Sequence, residues 1–390
     1  MSLAERVDAH ITRQSEALRE LARRIHDHPE LRFQEHRAVA FIRETLEAQG
    51  VQVEARTGGL DTAFRAVAGK PGGPRVAILA EYDALPEIGH ACGHNLIAAG
   101  AVGAFLGLVG VADELQGQVE LIGTPAEEGG GGKIRLLEAG VFAGLDAAMM
   151  YHPFDRDILM HPALASVWLE MSFHGRPSHA AAAPWDGASA LTACLDTFRL
   201  VDGQRVHFRD GVRVHGYIKD GGQAVNIIPE RAVAEFSVRA LGVAEMERVR
   251  AIVERCARGA ALASDVEVTI QARQGYRDMR NNDALADRFG AHLGSLGRTA
   301  RRTAPEVGAG STDMGDVSHA VPAIHPWLAI CDAGTTTIHQ HAFAVCARGE
   351  RGLDSMLLAA RAMARTALDV LHDDELRAAV RARFEATRNP

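Results

Sequence analysis

The stretch VAILAEYDALPEIGHACGHNLIAAGAVGAFLGLVG, residues 76–110, decides the reading of the fold. Five small or branched apolar residues open it without a polar member, the composition of a strand covered on both faces. Cys, His, Asp and Glu crowd the next fourteen positions, 81–94, and an apolar run dense in Ala and Gly follows from Leu96 to Val111. That run is short for a membrane span, so the spacing predicts a buried helix over 95–115. A strand, then a loop bearing chemistry, then a buried helix is the unit of an open α/β sheet. Functional groups gather there beyond the carboxyl ends of the strands.

Working outward, residues 4–29 and 34–49 carry helix-spaced apolar positions, and short β-like runs fall at 51–55 and 63–67. A strand at 118–122, a helix at 133–139 and a strand at 147–151 continue the alternation, which implies a mostly parallel sheet flanked by helices. The rhythm changes near Ala163. Strand 165–173, helix 188–200, strands 212–217 and 232–239, helix 245–262 and strand 266–271 follow in the order β-α-β-β-α-β. That is the pattern of a ferredoxin-like sandwich. Helical and strand segments of the first kind then resume and end in a long helix over 353–371. The expected organisation is an α/β catalytic domain, 1–162 with 276–390, interrupted by a ferredoxin-like α+β domain at 163–275.

The bulk properties narrow the function classes. With 390 residues, 47% hydrophobic and 24% charged, the chain has ordinary globular composition and room for two cores. A net charge of -8 argues against nucleic acid or an anionic membrane as partner, since both select basic surfaces. The N-terminal MSLAERVDAHITRQ is charged throughout and lacks an apolar core of signal-peptide length, so a cytoplasmic protein is expected. Five scattered cysteines form no disulfide framework. Four lie in apolar surroundings; Cys92 stands apart, two residues before His94 in a Gly-rich turn.

Metal-ligand residue types recur at strand ends. Cys92 and His94 offer a thiolate and an imidazole, which suit a borderline-soft cation such as zinc. The same triplet is also compatible with a turn holding a buried thiol. Glu127 and Glu128 follow an apolar strand, where a solvated pair is less expected; one carboxylate of such a pair can bind a cation while the other accepts a proton from water. His152 follows a third strand. Glycines 129–132 suggest a phosphate cradle, but Lys133 is followed by Ile134 rather than Ser or Thr, which removes that reading.

Six segments occur in one order: EYDALPEIGHACGHNL (81–96), TPAEE (124–128), GRPSHA (175–180), NIIPE (226–230), GSTDMGDVS (310–318) and IHQHAF (338–343). That order resembles the aminoacylase and carboxypeptidase-G type of metallopeptidase. Within it the likeness is to the Cys-Gly-His branch of aminobenzoyl-glutamate hydrolase, hippurate hydrolase and indole-acetyl-amino-acid hydrolases. The resemblance implies two divalent cations per subunit, Zn2+ or Mn2+, held by Cys92, His94, Glu128, His152 and a late histidine, with Cys92 bridging. It implies Glu127 as general base and acid, and Asp83 as a carboxylate that orients a ligand. His339, four residues before Phe343, fits the late ligand; His341 competes. The inserted domain becomes a lid and homodimer interface, and its His179 reaches a neighbouring subunit's site to stabilise an oxyanion. Asn226 and Arg239 face the substrate's carboxylate end, and Ser311 belongs to a cleft loop. Glu81, Tyr82 and Asn95 depart from the usual residues, toward aminobenzoyl-glutamate and β-alanyl-dipeptide hydrolases.

The expected activity is therefore hydrolysis of an amide bond in a small N-acyl amino acid, aminobenzoyl-glutamate-like or dipeptide substrate. Two rivals carry different consequences. A non-catalytic ligand-binding scaffold of this fold should have lost ligands or base, whereas all are present. A cysteine hydrolase with a Cys92–His94 pair leaves Glu127, Glu128, His152 and His339 without a purpose.

Overall fold

A computed structural model describes residues 1–273 and 275–388, and its contacts divide the chain into two compact units. The first comprises Met1–Pro162 with Met279–Pro390, the second Ala163–Asp278, so the return to the first unit falls three residues beyond the expected boundary at 275. In chain order the first unit begins with α1 (Leu3–Arg13), α2 (Ser15–Asp27), α3 (His36–Glu47), β1 (Val53–Ala55), β2 (Phe64–Gly69), β3 (Arg75–Ala80) and α4 (His94–Val109). Next come β4 (Gln118–Gly123), α5 (Gly132–Glu138), β5 (Ala147–Met149) and β6 (His152–Phe154). The second unit holds β7 (Ala165–His174), α6 (Ala190–Gln204), β8 (Arg213–Asp220), β9 (Arg231–Ala240), α7 (Val243–Ala263) and β10 (Glu267–Arg273). The first unit resumes with α8 (Asp283–Ser295), α9 (Met314–Ala320), β11 (Ala323–Ile324) and β12 (Trp327–Ala329). It closes with α10 (His341–Arg348), α11 (Glu350–His372) and α12 (Asp374–Arg388).

The main sheet has the order β1-β2-β4-β3-β5-β11. Its β4, β3, β5 and β11 run parallel, and β1 and β2 add an antiparallel margin. Strand β3 lies between β4 and β5, and five of its six residues are buried, which is why 76–80 needs no polar face. Because the three strands are parallel neighbours, the segments that follow them emerge at one edge. Helix α4 packs beside β3 and against α1, α2 and α11. Every residue from His94 to Leu108 is buried, so this helix is apolar all round rather than amphipathic. Each of its Leu, Ile, Val and Phe side chains contributes about 1.5–3 kcal/mol by leaving water.

Several element boundaries differ from the spacing-based expectation, each for a local reason. The helix expected over 95–115 stops at Val109, where Gly110 forms the C-cap. The segment 4–29 breaks at Gln14 into two helices. The run 147–151 ends as a strand at Met149, and His152 opens a separate two-stranded pairing of β6 with β12. Helix α12 follows α11 after the single residue Asp373, an extra element beyond the expected last helix.

The second unit has a four-stranded antiparallel sheet in the order β10-β7-β9-β8, with α6 and α7 packed on it around a core of Leu169, Met171, Phe173, Phe236 and Val253. This is the ferredoxin-like order. Strand β8 forms one margin, and six of its eight residues are exposed.

Candidate metal centre

The turn after β4 is built to present two adjacent carboxylates. Ala126 adopts φ 61, a left-handed conformation costly for a residue with a Cβ, and its N–H donates to Glu35 Oε1 at 2.9 Å. The same Glu35 oxygen accepts from Phe33 N at 2.9 Å, tying the turn to the start of α3. Burial, reinforced by Asp83, pushes the Glu35 carboxyl up to about 7. Glycine at 132 is required here: a Cβ would lie 1.8 Å from the Pro125 carbonyl oxygen. Gly93 is the second obligatory glycine, because it has φ 82 and a Cβ would come within 2.9 Å of Pro153. Its turn points Cys92 and His94 toward the residues that follow β4 and β5.

The histidines are oriented by their outer nitrogens. His94 Nδ1 lies 2.9 Å from the Asp83 carbonyl and 3.1 Å from Asp83 Oδ1, both acceptors, which places a proton on Nδ1 and directs Nε2 into the cluster. His152 Nδ1 lies 2.7 Å from the Pro153 carbonyl, and its Nε2 lies 3.4 Å from Cys92 Sγ. The His152 ring stacks on Trp327 with centroids 4.5 Å apart, fixing its plane. Asp83 Oδ2 accepts from Glu128 N at 2.9 Å, so one carboxylate orders both a histidine and the glutamate turn. Glu128 Oε1 then sits 3.2 Å from His339 Nε2 and 4.0 Å from His94 Nε2.

Two donor triplets result, each with its atoms within 4.8 Å of one another: Cys92, His94 and His152, and Cys92, Glu128 and His339. They share the Cys92 sulfur. A further triplet of His94, Glu127 and Glu128 brings Glu127 beside them. His94 Nε2 and Glu128 Oε1 are buried with no hydrogen-bond partner among the described residues, which is costly unless something else satisfies them. Thiolate, imidazole and carboxylate aimed inward with such orphaned atoms fit divalent cations bound on either side of the sulfur.

The electrostatics agree. Burial, then Glu128, pushes the Cys92 thiol well above its ordinary range, the opposite of what a free thiolate nucleophile needs. Burial, then His94, holds His152 down at about 3, hence neutral and able to ligate. Burial would lower His94, but Cys92 and Asp83 raise it well above the usual histidine range. Burial and then Glu128 push the Glu127 carboxyl well up, so the cluster is short of positive charge.

The other anticipated residues fall as follows. His339, although exposed, meets Glu128, whereas His341, also exposed at the start of α10, belongs to none of the donor groups found among the described residues. Ser311 lies in the loop before α9, with its Oγ buried and unpartnered. His179, Asn226 and Arg239 belong to the second unit. There Ala180 N donates to the Asn226 carbonyl at 3.0 Å, and His179 bridges Ile227, so the two loops adjoin. Half-buried Arg239 lies on β9 with its Nε unpartnered. Asn95, where the resemblance has a frequent Asp, donates to the Ala22 and Ala347 carbonyls at 3.2 and 3.0 Å and so ties helices together.

Sequence reasoning missed Trp327, brought under His152 by a two-strand pairing that no local pattern announces. It also missed the burial of Lys133. The available signal was helical spacing, since Lys133 shares a face with buried Leu136.

A parallel sheet carrying overlapping cation-ligand triplets beside a carboxylate pair defines a metal-dependent hydrolase. The chain belongs to peptidase family M20/M25/M40, whose family description it matches over residues 77–369. It is 38% identical over 405 aligned positions to the Xaa-Arg dipeptidase of Mus musculus, covering 98% of this chain and 91% of that protein. It is also 28% identical to a p-aminobenzoyl-glutamate hydrolase chain of Escherichia coli (strain K12), covering 92% of this chain and 89% of that one. Among solved structures, the fold matches a dinuclear metal binding peptidase of the M20 family from Bacillus subtilis with TM-score 0.73 and 24% identity, covering 93% and 99%. An aminobenzoyl-glutamate utilization protein from Klebsiella pneumoniae gives TM-score 0.74 at 18% identity, covering 94% and 99%. The chain is a metal-dependent hydrolase of amide or peptide bonds, and small amides or dipeptides fit it as substrates. Among the described residues, no helix is long and apolar enough to cross a membrane.

Proposed function

We propose that the protein is a two-cation dipeptidase, with N-acyl amino acids and aminobenzoyl-glutamate as the second reading for its substrate. The observation that carries the chemistry is the pair of donor triplets sharing Cys92 Sγ, with Glu127 beside them. The 38% identity to an Xaa-Arg dipeptidase over 98% of the chain supports the dipeptide choice. Cys92, His94 and His152 would hold one cation and Cys92, Glu128 and His339 the other, Zn2+ or Mn2+. Cations held there would supply Lewis acidity, for a carbonyl and for the acidity of water. Asp83 keeps His94 in the ligating tautomer. Glu127 takes the proton of the attacking water and returns it to the departing amine.

His179 stabilises the oxyanion of a neighbouring subunit. Its Nδ1 accepts from Ala182 N at 3.1 Å, which leaves the proton on the exposed Nε2, ready to donate. Arg239, half-buried with an unpartnered Nε, and Asn226 receive the substrate carboxylate; a guanidinium grips that group in bidentate fashion. Ser311 lines the cleft. The homodimer forms through the second unit, where exposed β8 offers an unpaired margin with Tyr217 56% and Ile218 37% exposed. The free thiols of all five cysteines suit a reducing compartment, the cytoplasm. The test is a panel of dipeptides, N-acyl amino acids and aminobenzoyl-glutamate assayed with zinc and with manganese. The highest kcat/KM should fall on a dipeptide, and a preference for the N-acyl or aminobenzoyl substrates would replace the reading by the second one.

A further inference from the structure

Lys133, in the first turn of α5, is fully buried and belongs to neither donor triplet. Its Nζ donates to Asp313 Oδ1 at 2.7 Å and to Glu81 Oε1, and its backbone N–H donates to Asp313 Oδ2 at 3.0 Å. Glu81 is 1% exposed; its other oxygen, Oε2, has no hydrogen-bond partner among the described residues and lies 3.6 Å from His94 Nε2. Glu81, Glu127 and Asp313 each offer an oxygen within 4.8 Å of the others, an arrangement able to hold a cation. Three carboxylates buried together demand positive charge, because each desolvated ion otherwise costs several kcal/mol. The chain supplies its own ammonium in their midst.

We propose that the Lys133 ammonium stands in for a third divalent cation in the Glu81–Glu127–Asp313 cluster, holding Glu81 beside His94 and limiting the centre to its resident ions. Lys133 is thus a positioning residue. A tethered charge does not leave when the resident cations do, so the acidic side of the site stays ordered before they arrive. Burial acts against the ammonium, yet Asp313 and Glu81 raise its pKa above the ordinary lysine range. Burial pushes the Asp313 carboxyl up, Lys133 pulls it back and Glu81 raises it again, leaving it at about 6. The cluster thus remains short of positive charge even with the lysine in place. Carboxylate donors without nitrogen or sulfur suit Mn2+.

This inference rests on the assignment of the resident ligands above but not on Glu127 being the base. The experiment is metal stoichiometry by elemental analysis, with thermal unfolding followed at increasing Mn2+, for the unaltered protein, Lys133→Ala and Lys133→Arg. Lys133→Ala should bind one Mn2+ more per subunit than the unaltered protein, and its Tm should go on rising with Mn2+ after that of the unaltered protein has levelled off. Lys133→Arg, which keeps the charge, should bind no extra ion. Equal stoichiometry in a folded Lys133→Ala overturns the proposal and leaves Lys133 a plain structural ion pair. A Lys133→Ala that stays unfolded at every Mn2+ concentration overturns it as well, since a replacement cation should restore the fold. Glu127→Gln, tested in parallel, separates the two ideas: unchanged turnover there removes the base assignment whatever the stoichiometry shows.

Discussion

The two units handle their polar residues in opposite ways. In the first, Asp83, Cys92, His94 and His152 are all buried, and each is fixed by a backbone or side-chain partner. In the second, His179 and Asn226 are exposed and Arg239 is half-buried without a counter-ion among the described residues. The buried groups of the first unit cannot relax into water, so their geometry already declares what they bind, while Glu128 is half-buried and His339 exposed at the rim of the set. An exposed set acquires its geometry when a substrate or a second copy arrives. On the proposed reading, the first unit would hold chemistry assembled in one chain, and the second recognition that needs something added.

That contrast is sharpest in the size of the effects it predicts. Stripping the cations from the first unit should abolish turnover, with return on adding zinc or manganese; a chelated, metal-free protein that still hydrolyses substrate would break the comparison outright. Glu127→Gln should lower kcat by roughly 100- to 10,000-fold with cation content unchanged, measured by steady-state kinetics alongside elemental analysis. In the second unit, His179→Ala should lower kcat by about 100-fold or more while Tm and cation content stay put. If inactive His179→Ala and inactive Glu127→Gln subunits regain no activity when mixed, the histidine does not serve a neighbour. Arg239→Ala should act mainly on KM, raising it roughly 10- to 100-fold for substrates with a free carboxylate, the value of a charged hydrogen bond. A carboxamide version of the same substrate should lose the difference.

The smallest effect concerns pH. Burial holds His90 and His152 down at about 3 and His161 at about 4, all in the first unit. In the unfolded chain these rings titrate near about 6.5. Below that value the unfolded state binds protons that the folded state refuses, so stability is complete above about 6.5 and declines as pH falls toward 3. Glu35, raised to about 7, and Asp313, at about 6, act in the opposite direction, so the effect is isolated by comparison: between pH 7.5 and pH 5 the Tm of metal-free His161→Gln should fall less than that of the unaltered metal-free protein by scanning calorimetry. An equal fall in both proteins would mean that the His161 ring is charged in the folded state.

Legibility in the sequence followed physical scale. Residues 76–80 announce a central strand because burial on both faces leaves no room for polar residues, whereas in 118–122 the buried Glu120 is accommodated only by Arg65 and Arg75. Cys92 and His94 could be found because a thiol and an imidazole in a Gly turn leave a local trace, and the order β-α-β-β-α-β carried the second unit's topology. Strands β6 and β12, three residues each, exist only through their mutual pairing and have no period to read. The stacking of Trp327 on His152 inherits that invisibility. The burial of Lys133 went unseen for another reason: its carboxylates lie 52 and 180 residues away. Glu35 escaped notice likewise, since its partner Ala126 is 91 residues distant.

The most direct measurement is anomalous diffraction from crystals grown with zinc or manganese. Two peaks per subunit should straddle Cys92 Sγ, each within about 2.5 Å of the sulfur, one also touching His94 and His152, the other Glu128 and His339. A single peak, or a pair with Cys92 turned away from both, would contradict a binuclear centre bridged by that sulfur.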